Sequence, residues 1–235
     1  MLCYLRKKGE NCVFNKKTWL SKEFNNGLVF LKGNIRGKVF IEYIPAENAW
    51  YPVTAPNYMF INCLWVSGQY KGQGFSNELL EGCIRDSKEK GKEGLVILSS
   101  DKKRPFLADP KYLKYKGFKF ADSAEPFFHL YYLPFNDNST APTFNNNVKD
   151  DHSNDSGFEL YYSNQCPFTE KYVGVIKETA DKLNEKINII KFDTSSKAQN
   201  SHVPFTTYSL RYNGKFVTNE ILTDKKFTSL VDNIR

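Results

Sequence analysis

No stretch of this 235-residue chain offers the roughly 18 consecutive apolar residues that a membrane-spanning helix requires. The opening segment, MLCYLRKKGENC, has no apolar core of signal-peptide length, so the sequence predicts a cytoplasmic protein without a membrane partner. No CxxC pair occurs. The five cysteines, Cys3, Cys12, Cys63, Cys83 and Cys166, are irregularly spaced, which argues against a zinc site; in the cytoplasm they are expected as thiols. His129, His152 and His202 are too scattered to form a metal motif, and no metal is expected. Dense basic clusters are scarce too. The net charge of +7 and the isoelectric point near 9.0 are spread along the chain, with Arg6, Lys7, Lys8 and Lys102, Lys103, Arg104 as its tight triplets. Nucleic acid is therefore not expected as a partner, and a small phosphate-bearing ligand accounts for a mild basic excess equally well.

What is present is a globular composition, with 40% hydrophobic and 25% charged residues. The length allows one large domain or two small ones. Residues 136–157, NDNSTAPTFNNNVKDDHSNDSG, are rich in Asn, Asp and Ser and nearly free of apolar periodicity. Such a segment buries too little surface to order itself, so it reads as a linker between domains at 1–135 and 158–235.

In the first part, residues 28–32 and 38–44 read as neighbouring strands, with Gly33, Asn34 and Gly37 between them. Residues 50–53 and 58–66 continue the strand pattern, and the second is apolar enough to be central. Residues 75–90 form a helix with Phe75, Leu79, Cys83 and Ile84 on one face. The run LVIL at 95–98 is a short buried strand, 110–116 a short helix closed by Gly117, and 127–133 a late strand. In the second part, a strand at 158–162 leads through SNQCPF into a helix at 169–185. A strand at 187–192, a hairpin at 205–211 and 215–217 turning on Asn213-Gly214, and a helix at 224–234 follow. The whole is a mixed α/β structure.

The stretch WVSGQYKGQGFSNELL, residues 65–80, joins the long apolar strand to the amphipathic helix. The first turn of a helix carries backbone N–H groups without intrahelical partners, and its dipole favours negative charge. Glycine lets backbone approach a phosphate and adopt positive φ. Gln69, Tyr70, Lys71, Gly72, Gln73, Gly74, Phe75 and Ser76 are thus candidates to cradle a pyrophosphate, and Trp65 and Val66, on the strand leading in, join them as candidate cofactor-binding residues. The dinucleotide fingerprint lacks its third glycine here, since Asn77 stands there, and no Gly-Lys-Ser/Thr follows. A tight strand–helix turn without ligand is the alternative.

The spacing Gln69-x-x-Gly72-x-Gly74 resembles the Q/R-x-x-G-x-G/A signature of the Gcn5-related N-acetyltransferase (GNAT) family, and Tyr112-Leu-Lys-Tyr-Lys-Gly117-Phe118 looks like its second motif. The resemblance covers about residues 27–135. It implies a mostly antiparallel sheet with helices, a loop after a central bulged strand that holds the pyrophosphate of acetyl-CoA, and acetyl transfer to an amine acceptor. Family members often pair as homodimers, although no residue pattern here marks an interface. Two departures stand out. Only about 25 residues precede Leu28, so the family's opening strand is expected to be short or missing. Leu113 occupies the position where many members carry a tyrosine, with Tyr112 and Tyr115 beside it.

Acetyl transfer to an ammonium needs a base, commonly a carboxylate or a water held by one. Glu42, a charge inside the strand-like FIEYI, is the candidate, although strand alternation equally allows it to face solvent. Tyr112 is the candidate acid. In the second part, Cys166-Pro-Phe-Thr169 follows a strand and opens a helix, and Val203-Pro204 precedes a hairpin. This resembles a thioredoxin-like module with its cis-proline loop, and the chain as a whole resembles YoaP-type proteins, which append such a module to an acetyltransferase. Thr169 stands where a disulfide oxidoreductase has a second cysteine. Cys166 is a candidate reactive thiol, since a helix N-terminus lowers thiol pKa. The open alternatives to an acetyltransferase are a thiol-handling protein acting through Cys166 and a CoA-binding regulator that transfers nothing.

Overall fold

The computed structural model describes residues 10–149 and 156–234. Cys3 and His152 lie outside the described residues, as does the start of the segment read for an export signal. A helix that the sequence does not announce comes first, α1 (Glu10–Phe24). Its buried stripe is Lys16, Trp19, Leu20 and Glu23, an i, i+3, i+4, i+7 set in which two of the inward positions are charged. A search for apolar periodicity passes over such a helix.

Seven strands and two helices follow: β1 (Val29–Lys32), β2 (Val39–Pro45), β3 (Val53–Thr54), β4 (Tyr58–Val66), α2 (Phe75–Glu89), β5 (Gly94–Ser100), α3 (Pro110–Tyr115), β6 (Lys119–Ala124) and β7 (Phe128–Pro134). Six of the strands form one sheet in the order β1-β2-β4-β5-β7-β6. Its pairs are antiparallel except β4 with β5. The expected strand at 50–53 is reduced to the two residues of β3. The strand β6 is an addition to the sequence reading: KFADSA carries a charge at Asp122 and a register break between Phe120 and Asp122, which destroy simple alternation.

One face of this sheet packs against α2 and α3, through Val39, Ile41, Tyr43, Met59, Ile61, Leu79, Leu80, Cys83, Leu95, Ile97 and Leu113. The other face supports α1 and the second half of the chain, in a core that runs from Trp19 through Trp50, Phe60 and Phe128 to Val203 and Phe205. Within the segment read as a linker, β8 (Thr143–Phe144) pairs with β3, and α4 (Asn146–Lys149) follows it. Phe144 and Val148 are buried there, so two apolar anchors hold a polar strap against the sheet.

The second half contains β9 (Phe158–Tyr162), α5 (Thr169–Leu183), β10 (Ile187–Lys191), α6 (Ser195–Gln199), β11 (Tyr208–Tyr212), β12 (Lys215–Thr218) and α7 (Asp224–Ile234). Its sheet has the order β10-β9-β11-β12, with β10 parallel to β9 and the other pairs antiparallel. Val173, Ile176, Ala180, Phe227 and Val231 pack the helices onto it. The cis peptide among the described residues is Glu125–Pro126, not the expected Val203–Pro204.

Candidate functional site

The site starts with a fault in β4. Opposite β2, the register runs Glu42 with Cys63 and then Tyr43 with Ile61, so Asn62 is an extra, bulged residue. Pairing of β4 with β5 stops one residue earlier, at Ile61 with Ile97. Beyond that point Leu98, Ser99 and Ser100 pair with β7, and Cys63 to Val66 pair with β2. The two parallel strands therefore part at the bulge and leave backbone of β4 without a strand on that side.

At the far end of the gap β4 enters the glycine loop. A single 3-10 turn, Gly68–Tyr70, precedes α2. Gly72 and Gly74 take φ of +79° and +84°, a region costly for residues with a Cβ. Gly74 is the N-cap of α2 and no side chain caps that end. The backbone N–H groups of Gly72, Gln73, Gly74, Phe75 and Ser76 find no backbone acceptor among the described residues, whereas Asn77 and Glu78 donate to the Gly74 carbonyl. A Cβ built at Gly72 or Gly74 would meet nothing within 4 Å, so open space lies before these donors. The loop is anchored from behind. The Tyr70 hydroxyl donates to the Arg36 carbonyl at 2.8 Å, Gln73 Nε2 donates to the Gln69 carbonyl at 2.9 Å, and the Tyr70 ring meets Phe75 edge-on. A Cβ on Gly37 would collide with the Tyr70 ring, so the anchor depends on that glycine. A row of unpaired donors at a helix N-terminus fits a pyrophosphate. Lys71 is exposed beside it, while Trp65 and Val66 lie on the strand leading in.

Tyr112 belongs to the same end of the sheet. Its hydroxyl donates to the Ser76 carbonyl at 3.2 Å, tying α3 to the first turn of α2. Burial raises its pKa and the hydrogen bond with Ser76 pulls the other way, so the phenol is protonated at neutral pH. Leu113 is buried in the core below, and α3 closes in a Schellman turn: Phe118 N–H donates to the Leu113 carbonyl and Gly117 N–H to that of Lys114.

Glu42 does not face solvent. Only 2% of it is exposed. Lys16 Nζ lies 2.7 Å from one carboxylate oxygen, and Asn62 Nδ2 donates to the other at 3.1 Å. The Lys16 ammonium also lies over the Trp19 ring at 4.1 Å. Cys63 faces the same side as Glu42, its pair across the strands. Burial, with the Glu42 carboxylate adding, Lys16 opposing and Cys166 adding again, pushes its thiol up to about 12.

Cys166 is thereby brought to this same region from the other half of the chain. The Tyr51 hydroxyl shares a 2.9 Å hydrogen bond with Thr207 Oγ1. Its pKa is raised chiefly by burial, with Cys63, Glu42 and Cys166 each adding to the rise. Asn15 of α1 donates to Glu170 at the start of α5 at 2.6 Å, and Lys38 Nζ stands 5.7 Å above the Phe168 ring. Thr169, where a second redox cysteine would stand, instead holds the turn: its hydroxyl lies 2.8 Å from the Ser163 carbonyl and 2.9 Å from that of Cys166.

The structure thus separates the sequence candidates into two groups on opposite sides of the parted strands. The glycine loop and Tyr112 lie with α2 and α3; Glu42 and Cys166 lie with α1 and the second half. Sequence reasoning missed Lys16 and Asn62. A polar Asn inside an otherwise apolar nine-residue strand was the visible signal for the bulge; nothing local marked Lys16 as the partner of Glu42.

Comparison with known proteins adds the following. The YoaP-like family model matches residues 186–228. YoaP of Bacillus subtilis (strain 168), which bears the name uncharacterized N-acetyltransferase, is 40% identical over 228 residues, spanning 97% of this chain and 91% of its own length. Among solved structures, a PaiA N-acetyltransferase of Thermoplasma acidophilum in complex with coenzyme A is 17% identical with a TM-score of 0.39, over 56% of this chain and 80% of its own. A GNAT family acetyltransferase of Elizabethkingia anophelis with acetyl-CoA bound is 17% identical with a TM-score of 0.38, over 51% and 83%.

Proposed function

Because the chain belongs to the YoaP family, we propose that it is an acetyl-CoA-dependent N-acetyltransferase acting on an amine. The observation that carries this reading is the row of unpaired N–H groups from Gly72 to Ser76, at the far end of the gap that opens where β4 parts from β5. In this reading the loop from Gln69 to Ser76 holds the pyrophosphate, and the pantetheine arm lies along the free backbone edge of β4. Acetyl-CoA supplies an activated thioester there. Backbone N–H groups beside the bulge at Asn62 are placed to steady negative charge on its carbonyl oxygen. The amine arrives from the opposite side, where Glu42 and Asn62 lie. Lys16 Nζ sits 2.7 Å from the Glu42 carboxylate, so service as a base requires that amine to move aside or a water to relay the proton. Tyr112, a protonated phenol at the loop, is the donor candidate for the departing thiolate.

The second half, residues 158–235, is read as a thioredoxin-like module, supported by its strand order and by Cys166 ahead of α5. Thr169 gives that module a structural turn in place of a dithiol, so its role here is to build on the acetyltransferase rather than to exchange disulfides.

Calorimetric titration with acetyl-CoA tests the proposal. Wild type is expected to bind in the micromolar range, roughly −8 kcal/mol, and Gly72→Glu to lose all measurable heat while keeping its far-ultraviolet circular dichroism. The glutamate side chain would enter the space before the donors and bring a negative charge there. Equal affinity in wild type and variant would refute the clamp.

A further inference from the structure

The inner face of the first sheet, the side that carries α1 and the second half, has an aromatic floor beside the parted strands. Val39, Ile41 and Tyr43 of β2 pack with α2 on the other side, so Phe40 and Glu42 stand on the inner face, and Lys38 continues the same alternation. Ser67 N–H donates to the Lys38 carbonyl at 2.9 Å, one step past the pairing of Val39 with Val66. Phe40 lies opposite Lys32 of β1 and opposite Trp65 of β4, and directly opposite residues share a face. The Phe30 ring stacks on the Phe40 ring, with centroids 4.8 Å apart and planes 20° from parallel. Trp65 follows the bulge, on the strand edge that β5 has left, and is 51% exposed. From the second half, Phe168 at the N-cap of α5 brings a fourth ring, with the Lys38 ammonium 5.7 Å from its centroid.

The charges around this floor are unequally answered. Glu42 is spent on Lys16. Glu170, at the start of α5, takes Lys191 at 3.2 Å and Asn15 at 2.6 Å. Lys32 and Lys38 are exposed, and neither meets a carboxylate among the described residues. One exposed aromatic is ordinary on a protein surface. Here three strands and the turn before α5 bring rings to one place, beside two cations that still want an anion. An apolar surface with a few convergent polar groups is the usual form of a small-molecule site. The complement of this one is a flat apolar group that carries negative charge.

We propose that this floor binds the non-reacting body of the acceptor, an aromatic ring bearing a carboxylate, with the ring over Phe40 and Trp65, the carboxylate on Lys38, and Lys32 adding positive charge across Phe40. This rests on the acetyltransferase reading above and gives it a substrate class: small amines of the aromatic amino-acid kind. Polyamines and aminoglycosides are disfavoured, because two unanswered ammonium groups repel them. Trp65 then serves the acceptor through its side chain, while the backbone of its strand stays open to the cofactor. Phe168 makes the second half part of the recognition surface. These residues bind and orient; they exchange no proton with the reacting atoms.

The experiment uses the full chain. Tryptophan emission is titrated with 3-phenylpropionate, which has the ring and the carboxylate but no amine. Trp19 and Trp50 are buried, so Trp65 is the reporter. The expected result is a saturable shift that is absent in Trp65→Phe, whose midpoint rises roughly tenfold when Lys32→Met and Lys38→Met are combined, and which acetyl-CoA does not displace. Phenethylamine, with the ring but the opposite charge, should bind far more weakly. No saturable shift, equal binding of phenethylamine, or an unmoved midpoint in the folded double variant would overturn the site. Displacement by acetyl-CoA would hand the floor to the cofactor and overturn it equally. CoA release at saturating acetyl-CoA is then followed with L-phenylalanine, L-tryptophan, phenethylamine and putrescine. L-phenylalanine or L-tryptophan should show a KM roughly tenfold below that of phenethylamine, and Lys38→Met should erase the advantage while leaving acetyl-CoA affinity, read by calorimetry, unchanged. If acetyl-CoA binds but neither amino acid reacts, the substrate class is wrong and the cofactor reading stands. If wild type does not bind acetyl-CoA, the acetyltransferase reading falls and the acceptor assignment with it.

Discussion

Lys16 and Glu42 form a buried ion pair on the sheet's inner face. Both side chains are almost fully buried, at 4% and 3% exposure. Removing one partner leaves the other charge uncompensated, which commonly costs about 3–5 kcal/mol, whereas replacing both with apolar groups of similar volume is often neutral. Glu42→Ala is therefore expected to lower the unfolding free energy in urea by that amount, and Lys16→Met combined with Glu42→Leu to recover most of it. The same residue tests chemistry separately: Glu42→Gln with wild-type turnover would remove it as a base. From sequence, Glu42 stood out as a charge in FIEYI, but its meaning did not. Its partner lies 26 positions away on a helix whose inward stripe is itself half charged, and only folding brings the two together. The glycine loop was legible for the opposite reason. Its glycines, strand and helix are contiguous, so the shape of the turn is written in local order.

Among the elements, the strap of β8 and α4 shows how few residues are needed to fix a polar segment. Asp122 on β6 accepts from the Phe144 N–H and pairs with Lys149, both at 2.9 Å. Burial alone would raise the Asp122 pKa, but the hydrogen bonds from Lys149, Phe144 and Ser123 outweigh it and hold the carboxyl below its usual 3.8. A carboxylate depressed on folding stabilises the fold above its unfolded pKa and loses that contribution as pH falls through its folded value. Below about pH 4 the strap should therefore loosen. Hydrogen exchange of the Phe144 amide, corrected for intrinsic rate, is expected to speed up there relative to Leu130, and Asp122→Asn should exchange fast at every pH. Composition led the segment to be read as linker because only Phe144 and Val148 supply apolar grip. The strong elements, α2, β4, β5, β9, α5 and α7, were readable because each carries its own period or apolar run. β6, α1 and the strap were not, because each depends on partners elsewhere in the chain.

At the scale of the molecule, the halves share an interior rather than a surface contact. Phe216 packs edge-on against both Phe127 and Phe128, with centroids 5.4 Å away in each case. Tyr51 meets Phe205, and Gln199 Nε2 donates to the carbonyls of Glu47 and Ala49. Asn219 Nδ2 donates to the Pro105 carbonyl at 3.1 Å. With a common core, unfolding should be a single cooperative step. Trp19, Trp50 and Trp65 are the chain's tryptophans and all lie in the first half. Their fluorescence should melt together with the far-ultraviolet signal of the whole, and Phe216→Asp should split the transition in two. Coincident transitions in that variant would mean the interface contributes little.

The sheet face around Trp50, Tyr51 and Phe128 also has a history in time. It is complete once β7 has been made, yet its cover, Phe205 and Phe216, is encoded far downstream. At roughly 5–20 residues per second, a ribosome leaves that aromatic face waiting on the order of ten seconds before its lid emerges. A nascent chain of this kind is a natural client for a holding chaperone, and slow codons placed between the two halves would lengthen the period in which it needs one.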